Sequence, residues 1–213
     1  MTERIDSRPS SPRQDTIPKS RRKQIMASTP SSMLALGTPL PSIRLPNAVD
    51  GAQVDVGALA AGKRGTLILF ICNHCPYVVH IRAELVRVAH EALDLGLSVA
   101  AINSNDSVAY PQDAPDAMAR LARDEKWRFP FLFDEAQSVA RTFDAVCTPD
   151  LYAFDAAGKL AYRGQFDDSR PGNGKPVTGR DLRAAVEAIA AGRAPTSDQK
   201  PSVGCSIKWR RTG

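Results

Sequence analysis

Residues 65–77 read Gly-Thr-Leu-Ile-Leu-Phe-Ile-Cys-Asn-His-Cys-Pro-Tyr. The apolar run at 67–71 is rich in Leu, Ile and Phe and suits a strand covered on both faces of a sheet. Cys72 and Cys75 arrive where that strand should stop, and Pro76 stands where a helix should start, a position at which its missing N–H costs nothing. A thiol at a helix N-terminus faces unpaired backbone N–H groups and the positive end of the macrodipole. Both favour the thiolate, the reactive form. The stretch predicts a strand–helix corner with a reactive cysteine pair at the bend.

Working outward, residues 37–59 read as a hairpin, with Ile43-Arg44-Leu45 and Gln53-Val54-Asp55-Val56 flanking a turn that contains Asp50-Gly51. After Pro76, apolar residues at Val78, Ile81, Leu85, Val88 and Leu93 predict a helix with one buried face, ended by Gly96. A strand at 97–102 runs into the polar Asn103-Ser104-Asn105-Asp106. A helix follows over about 113–127, then a short strand at 129–133. Asp134 and Gln137 have capping-box spacing and predict a helix from 134 to 143. Strands at 151–154 and 159–163, joined by a four-residue turn, pair antiparallel. Thr178 and Asp181 cap a last helix whose apolar face is Leu182, Ala185, Val186 and Ile189, and Gly192 and Pro195 stop it. The order is an N-terminal β-hairpin, then βαβα, βα and ββα. That is a single α/β domain with a mixed central sheet flanked by helices.

A chain of 213 residues that is 43% hydrophobic can bury one core of ordinary size. No stretch approaches the roughly 18 unbroken apolar residues of a membrane span. The net charge of +5 hints at nucleic acid, but residues 1–32 hold seven basic and three acidic groups, leaving 21 basic against 20 acidic elsewhere. The body is close to neutral, so neither a nucleic-acid face nor a membrane surface is implied. The Ser-, Pro- and Arg-rich segment 1–32 predicts a disordered basic extension. It has no apolar core of a secretory signal, and its three acidic residues argue against a transit peptide. Met26 and Met33 are later in-frame starts. Cys72, Cys75, Cys147 and Cys205 are too few and too unevenly spaced for a disulfide scaffold. A C-x-x-C pair in such a chain points to redox or metal chemistry in a reducing, cytoplasmic compartment.

Haem attachment needs His directly after the second cysteine, and Pro76 stands there. A closed zinc site needs four ligands, and the remaining candidates, His74, His80, His90 and two scattered cysteines, do not supply that pattern. A soft-metal site on Cys72, Cys75 and His74 stays open, as does a bland reading of both cysteines as small packed hydrophobes. Dithiol redox chemistry is the leading account. Two cysteines separated by two residues close a small disulfide ring, and the first of them, at the helix terminus, is typically exposed and acidic. His74 between them would lower a thiol pKa further. Pro149 can open the strand at 151–154. A cis Thr148–Pro149 bond would leave the preceding backbone groups open to a substrate, although trans is the default.

The blocks Cys-Asn-His-Cys-Pro-Tyr at 72–77, Ile-Asn-Ser-Asn-Asp at 102–106, Cys-Thr-Pro-Asp at 147–150 and Gly-Cys-Ser-Ile-Lys-Trp at 204–209 resemble the thioredoxin-like superfamily. Within it they are most similar to the peroxiredoxin-like branch (alkyl hydroperoxide reductase/thiol-specific antioxidant, or redoxin). The strand at 129–133 and its following helix correspond to the peroxiredoxin-type insert. The resemblance implies a thioredoxin-like domain over 33–195, a tail at 196–213 packing near or on it, and a cis Pro149 facing the cysteines. By thioredoxin logic Cys72 attacks and Cys75 resolves. By peroxiredoxin logic Cys75 aligns with the peroxidatic cysteine, but that family's threonine or serine falls at Cys72, and its arginine is guessed at Arg163 or Arg170. Cys147 is expected near Cys72, as a packed residue or an accessory thiol. Cys205 is either a third thiol that resolves a sulfenate or a tail residue. Asn103, Asn105 and Asp106 follow a strand at its carboxyl end, the rim where such sheets hold their sites.

These readings give a thiol–disulfide oxidoreductase as the leading expectation, with Cys72, Cys75, His74 and Pro149 as its site and Thr148 accessory. A thiol peroxidase and a copper-binding or redox-sensing module are the alternatives. The partners expected are a protein or small-molecule disulfide, or a peroxide, plus an external thiol reductant, with no cofactor. The sequence does not indicate an oligomeric state.

Overall fold

A computed structural model describes residues 28–211. In chain order the elements are β1 (Ser28–Pro30), β2 (Arg44–Pro46), β3 (Gln53–Asp55), α1 (Val56–Ala60), β4 (Gly65–Phe70), α2 (Pro76–Asp94) and β5 (Ser98–Asn103). A 3-10 turn at Pro111–Asp113 leads into α3 (Pro115–Asp124), β6 (Phe131–Phe133) and α4 (Ser138–Thr142). The chain then runs through β7 (Cys147–Thr148), β8 (Asp150–Asp155), β9 (Leu160–Gly164), α5 (Arg180–Ala190) and β10 (Val203–Ser206).

The central sheet has the order β6-β5-β4-β8-β9. β4 pairs in parallel with β5 and antiparallel with β8, so the sheet is mixed. All six residues of β4 are buried. Successive side chains of a strand point to opposite faces. Leu67 and Leu69 accordingly enter one core, while Ile68 and Phe70 enter another. The first core is closed by α2, through Val78, Ile81, Leu85 and Val88, and by α5, through Leu182, Val186 and Ile189. Each such side chain contributes about 1.5–3 kcal/mol when fully buried. The second core takes Val56 of α1 and Ala140 of α4 against Phe70, Phe143, Tyr152 and Phe154. Gly96, at φ 90°, turns the chain from α2 into β5, a conformation favourable only to glycine.

A second sheet, β1-β10-β7, is antiparallel throughout. Ser28 pairs with Cys205, and Cys205 pairs with Thr148. The tail is therefore a strand of the fold. Residues 28–32 correct the expectation of a disordered extension, because β1 pairs with β10 and Ser31 donates its N–H to the Ser202 carbonyl at 2.8 Å. Ser28-Thr29-Pro30 has no apolar alternation; ladder hydrogen bonds hold it in place of side-chain burial. The rest of that expectation, on residues 1–27, lies outside the described residues.

Two helix starts also differ from expectation. Asp134 does not cap a helix at 135. It is fully buried, and its Oδ2 accepts from Ser104 Oγ at 2.8 Å and from the Ala140 N–H at 2.9 Å. Gln137, at φ 59°, precedes α4 instead. At α5, Gly179 occupies the N-cap in the left-handed region, and the Asp167 carboxylate takes the Thr178 and Gly179 N–H groups at 2.6 and 2.7 Å. No helix of the described residues is long and apolar enough to cross a membrane.

Candidate active site

β4 delivers the chain to Cys72, and Cys75 becomes the N-cap of the nineteen-residue α2, with Pro76 at its first position. The first N–H groups of a helix have no intrahelical partner. One of them, from Val78, bonds to the Cys75 sulfur, and the next toward the terminus, from Tyr77, bonds to the Cys205 sulfur. Thr148 closes the site from β7. Its Oγ1 lies 3.5 Å from Cys72 Sγ, and its carbonyl accepts the Cys75 thiol at 3.1 Å. The Thr148–Pro149 peptide is cis.

Cys72, Cys75 and Cys205 are all at most 3% exposed and belong to one core cluster. Cys75 stands in the middle. It receives hydrogen bonds from Cys205 and Cys72, then from Thr148 and the Val78 N–H, and these outweigh burial to hold its thiol far below the ordinary value. Cys72 is pushed well above it, first by donating to Cys75, then by burial and by the Asp113 carboxylate. Cys205 moves the same way, by donating to Cys75 and by burial. Of the three, Cys75 is the sulfur whose neighbours favour the thiolate, and on ionising it gives up its hydrogen bond to the Thr148 carbonyl. This corrects the expectation of an exposed, acidic first cysteine. Cys72 sits under Thr148 beside a buried carboxylate, and Cys75 is the sulfur on the helix terminus.

That carboxylate is the functional residue missed in the sequence. Asp113, fully buried, accepts the Asn73 N–H at 2.9 Å and the Asn105 side-chain amide at 2.8 Å. His74 Nδ1 approaches its Oδ2 to 2.6 Å, out of line with the ring N–H, a short contact and not a directed hydrogen bond. The His74 ring stacks on Tyr110, with centroids 5.3 Å apart and planes 5° apart. His74 is thus turned to Asp113 and plays no part in the low pKa of Cys75. Asp113 was legible only as the start of a helix. Its one signal was the amide-rich run at 103–105, which has to satisfy a buried partner.

Asn103 belongs to this support, since its amide donates to the Asp113 carbonyl at 3.1 Å and its Oδ1 takes the Asn105 N–H at 3.0 Å. Asp106 does not. Its carboxylate accepts the Val108 N–H at 3.1 Å and faces Arg210 at 3.8 Å, and its N–H bonds to the Lys208 carbonyl. Cys147 is fully buried and pushed up by burial and by Asp150, a packed thiol with no tendency to ionise. Arg163 lies on the other face of the sheet, across from Tyr152 in register, with its guanidinium over that ring. It donates to Ser32 Oγ at 2.8 Å, the Asp144 carbonyl at 3.1 Å and Asp150 at 3.3 Å. Arg170 is held by the Gln165 side chain and by the carbonyls of Asp167 and Ser169. Neither arginine faces the thiols, which corrects the guess that placed a peroxide-binding cation there.

For a metal, Cys72, His74 and Asp113 offer one ligand atom each within 4.8 Å of one another. This set replaces Cys75 of the expected soft site with a carboxylate already engaged by Asn73 and Asn105, a mixed S, N and O group of low selectivity.

Fold and site together define a thioredoxin-fold protein with thiol-based redox chemistry. The family described as Redoxin matches residues 35–181, and the chain belongs to that family. An uncharacterized conserved protein from Geobacillus kaustophilus is 48% identical, with a TM-score of 0.84 over 88% of this chain and 99% of that one. A hypothetical protein from Sinorhizobium meliloti 1021 is 42% identical, with a TM-score of 0.83 over 86% of this chain and all of that one. A peroxidoxin from Mycobacterium tuberculosis, 16% identical, shares the fold at a TM-score of 0.56 over 76% of this chain and 99% of its own. No curated protein matches the chain.

Proposed function

We propose that the protein is a thiol–disulfide oxidoreductase that cycles Cys72 and Cys75 between dithiol and disulfide. The observation that carries this reading is the meeting of both sulfurs at Thr148, one on its hydroxyl and one on its carbonyl, while Cys72 donates its proton toward Cys75. The Cys72 sulfur attacks a substrate disulfide, and its proton passes to the substrate sulfur that departs. The Cys75 thiolate next attacks Cys72 in the mixed disulfide, and the second substrate sulfur leaves as a thiolate. The protein is oxidised to the Cys72–Cys75 disulfide and the substrate is reduced to two thiols. An external thiol reductant restores the dithiol.

One observation favours a second reading, in which a peroxide oxidises Cys75 to a sulfenate that condenses with Cys72 and releases water. The hydrogen bonds at Cys75 favour its thiolate, as a peroxidatic cysteine requires. Against it, no cation contributes to the low pKa of Cys75. Stopped-flow measurement of thiol loss with hydrogen peroxide and with a small disulfide separates the two, using wild type, Cys72→Ser and Cys75→Ser. Disulfide reduction lost in both variants is expected. Fast peroxide consumption that survives Cys72→Ser would overturn the oxidoreductase.

A further inference from the structure

We propose that Cys205 is a third redox thiol of this site, placed to take over Cys75 as a disulfide partner and so move the disulfide from Cys72–Cys75 to Cys75–Cys205. The inference rests on the oxidoreductase reading above, because it needs a Cys72–Cys75 disulfide to act on.

Four observations carry it. Cys205 is opposite Thr148 in the β10–β7 register, so the strand that holds it also holds the residue both other thiols touch. Gly204 lets that strand come close, since a Cβ there would lie 1.9 Å from the Thr148 carbonyl oxygen. Cys205 is buried in the same cluster as Cys72 and Cys75. Cys75 is the sulfur to which both of the others donate, so it stands between Cys72 and Cys205 in the chain of hydrogen bonds. Exchange at sulfur needs that order, with the attacked atom between the incoming and the leaving sulfur.

The step is an isomerisation. The Cys205 sulfur attacks Cys75 in the Cys72–Cys75 disulfide; that bond breaks, the Cys75–Cys205 bond forms, and Cys72 departs with the proton that Cys205 gave up. No external oxidant or reductant is consumed. The Tyr77 N–H at the Cys205 sulfur, and Lys208 three residues further on, both favour negative charge on the attacking atom. Cys72 is freed for a second substrate, while the protein keeps its disulfide as a cross-link between β10 and the start of α2.

The test uses the full chain, reduced, then oxidised with oxidised glutathione, quenched with acid, alkylated and digested with trypsin. Cys72 and Cys75 share the peptide 65–82, and Cys205 lies on 194–208. In Cys72→Ser a cross-link between these peptides can come only from Cys75, and it is expected in more than half of the molecules. Wild type is expected to carry both pairings, and Cys205→Ser only Cys72–Cys75. Cys205 alkylated throughout in Cys72→Ser, with glutathione left on Cys75, overturns the inference and leaves the oxidoreductase standing. Wild type that forms no Cys72–Cys75 disulfide overturns the oxidoreductase instead. Should Cys72→Ser not fold, the wild-type map decides: no cross-link to 194–208 overturns the relay.

Discussion

Asp113→Asn isolates the electrostatics of Cys72. The carboxylate lies within 4.8 Å of the Cys72 sulfur and is fully buried, so it opposes a second negative charge there. At an effective dielectric constant of about 20, two unit charges at that distance repel by about 3.5 kcal/mol, roughly 2.5 pKa units. Neighbouring dipoles absorb part of this, so the substitution should lower the Cys72 pKa by about 1–2 units. The sign follows from the charge: a fixed anion disfavours the thiolate, and its removal favours it. The assay is the rate of iodoacetamide alkylation against pH, with Cys75, Cys147 and Cys205 all changed to Ser so that Cys72 is the only thiol. Its midpoint should fall, and alkylation well below the midpoint should speed up by about tenfold or more. Asparagine keeps an oxygen for the Asn73 N–H but leaves Asn105 less well paired, a stability cost of about 1–3 kcal/mol that a parallel thermal melt reads. A midpoint that is unchanged or higher would refute the claim that Asp113 holds Cys72 protonated.

Gly204→Ala should separate β10 from β7, because the added Cβ meets the Thr148 backbone at 1.9 Å. A loss of about 2–3 kcal/mol, or roughly 4–10 °C in the melting temperature, is expected, together with faster alkylation of Cys75; a melt within 1 °C of wild type would count against it. Arg163→Met leaves Asp150 buried without its cation and should cost about 3–5 kcal/mol while leaving the alkylation rates of the site thiols unchanged. Burial already raises the Asp150 pKa, and removing Arg163 raises it further, so folding prefers the neutral acid. The variant's deficit should therefore be largest near pH 7 and shrink as pH falls through the folded-state pKa of Asp150; urea melts that show the opposite trend would refute the assignment.

How much was legible in advance follows from where the information sits. The corner at 72–76 was readable because strand, cysteine spacing and Pro76 are all local, and the central sheet followed from apolar runs and turn residues. The second sheet was not readable. Val203-Gly204-Cys205-Ser206 is too short for its alternation to mark a strand, and its partners lie at 28–30 and 147–148, so only backbone pairing across more than fifty residues reveals it. The same holds for Asp113, a buried acid whose partners at 73, 74, 103 and 105 give it a role that no helix-start rule carries. Arg163 misled for a related reason: strand alternation decides which face a residue serves, and its register with Tyr152 puts it across the sheet from the thiols. The order of thiol acidity was likewise set by three-dimensional neighbours. Thioredoxin logic favoured Cys72, the first cysteine of the pair, whereas the N-cap position and two donating thiols favour Cys75.

Thr148 shows why the tail belongs to the chemistry as well as to the fold. Its hydroxyl meets Cys72, its carbonyl meets Cys75, and its backbone pairs with Cys205, so one residue touches every thiol of the site. A residue with three such contacts has to be held from several sides. Beyond β10, the Lys208 N–H bonds to Asn105 Oδ1 at 2.8 Å, and the Lys208 carbonyl accepts from Asp106 and Gln137. Asn105 is also the residue that donates to Asp113, so the tail that positions Cys205 helps to position the carboxylate beside Cys72. The two ends of the thiol line are therefore coupled through Asn105 as well as through Cys75. A change in how β10 sits would alter the charge environment of Cys72 without touching it. Formation of a Cys75–Cys205 bond is such a change, because it ties β10 to the start of α2 at the moment when Cys72 is released.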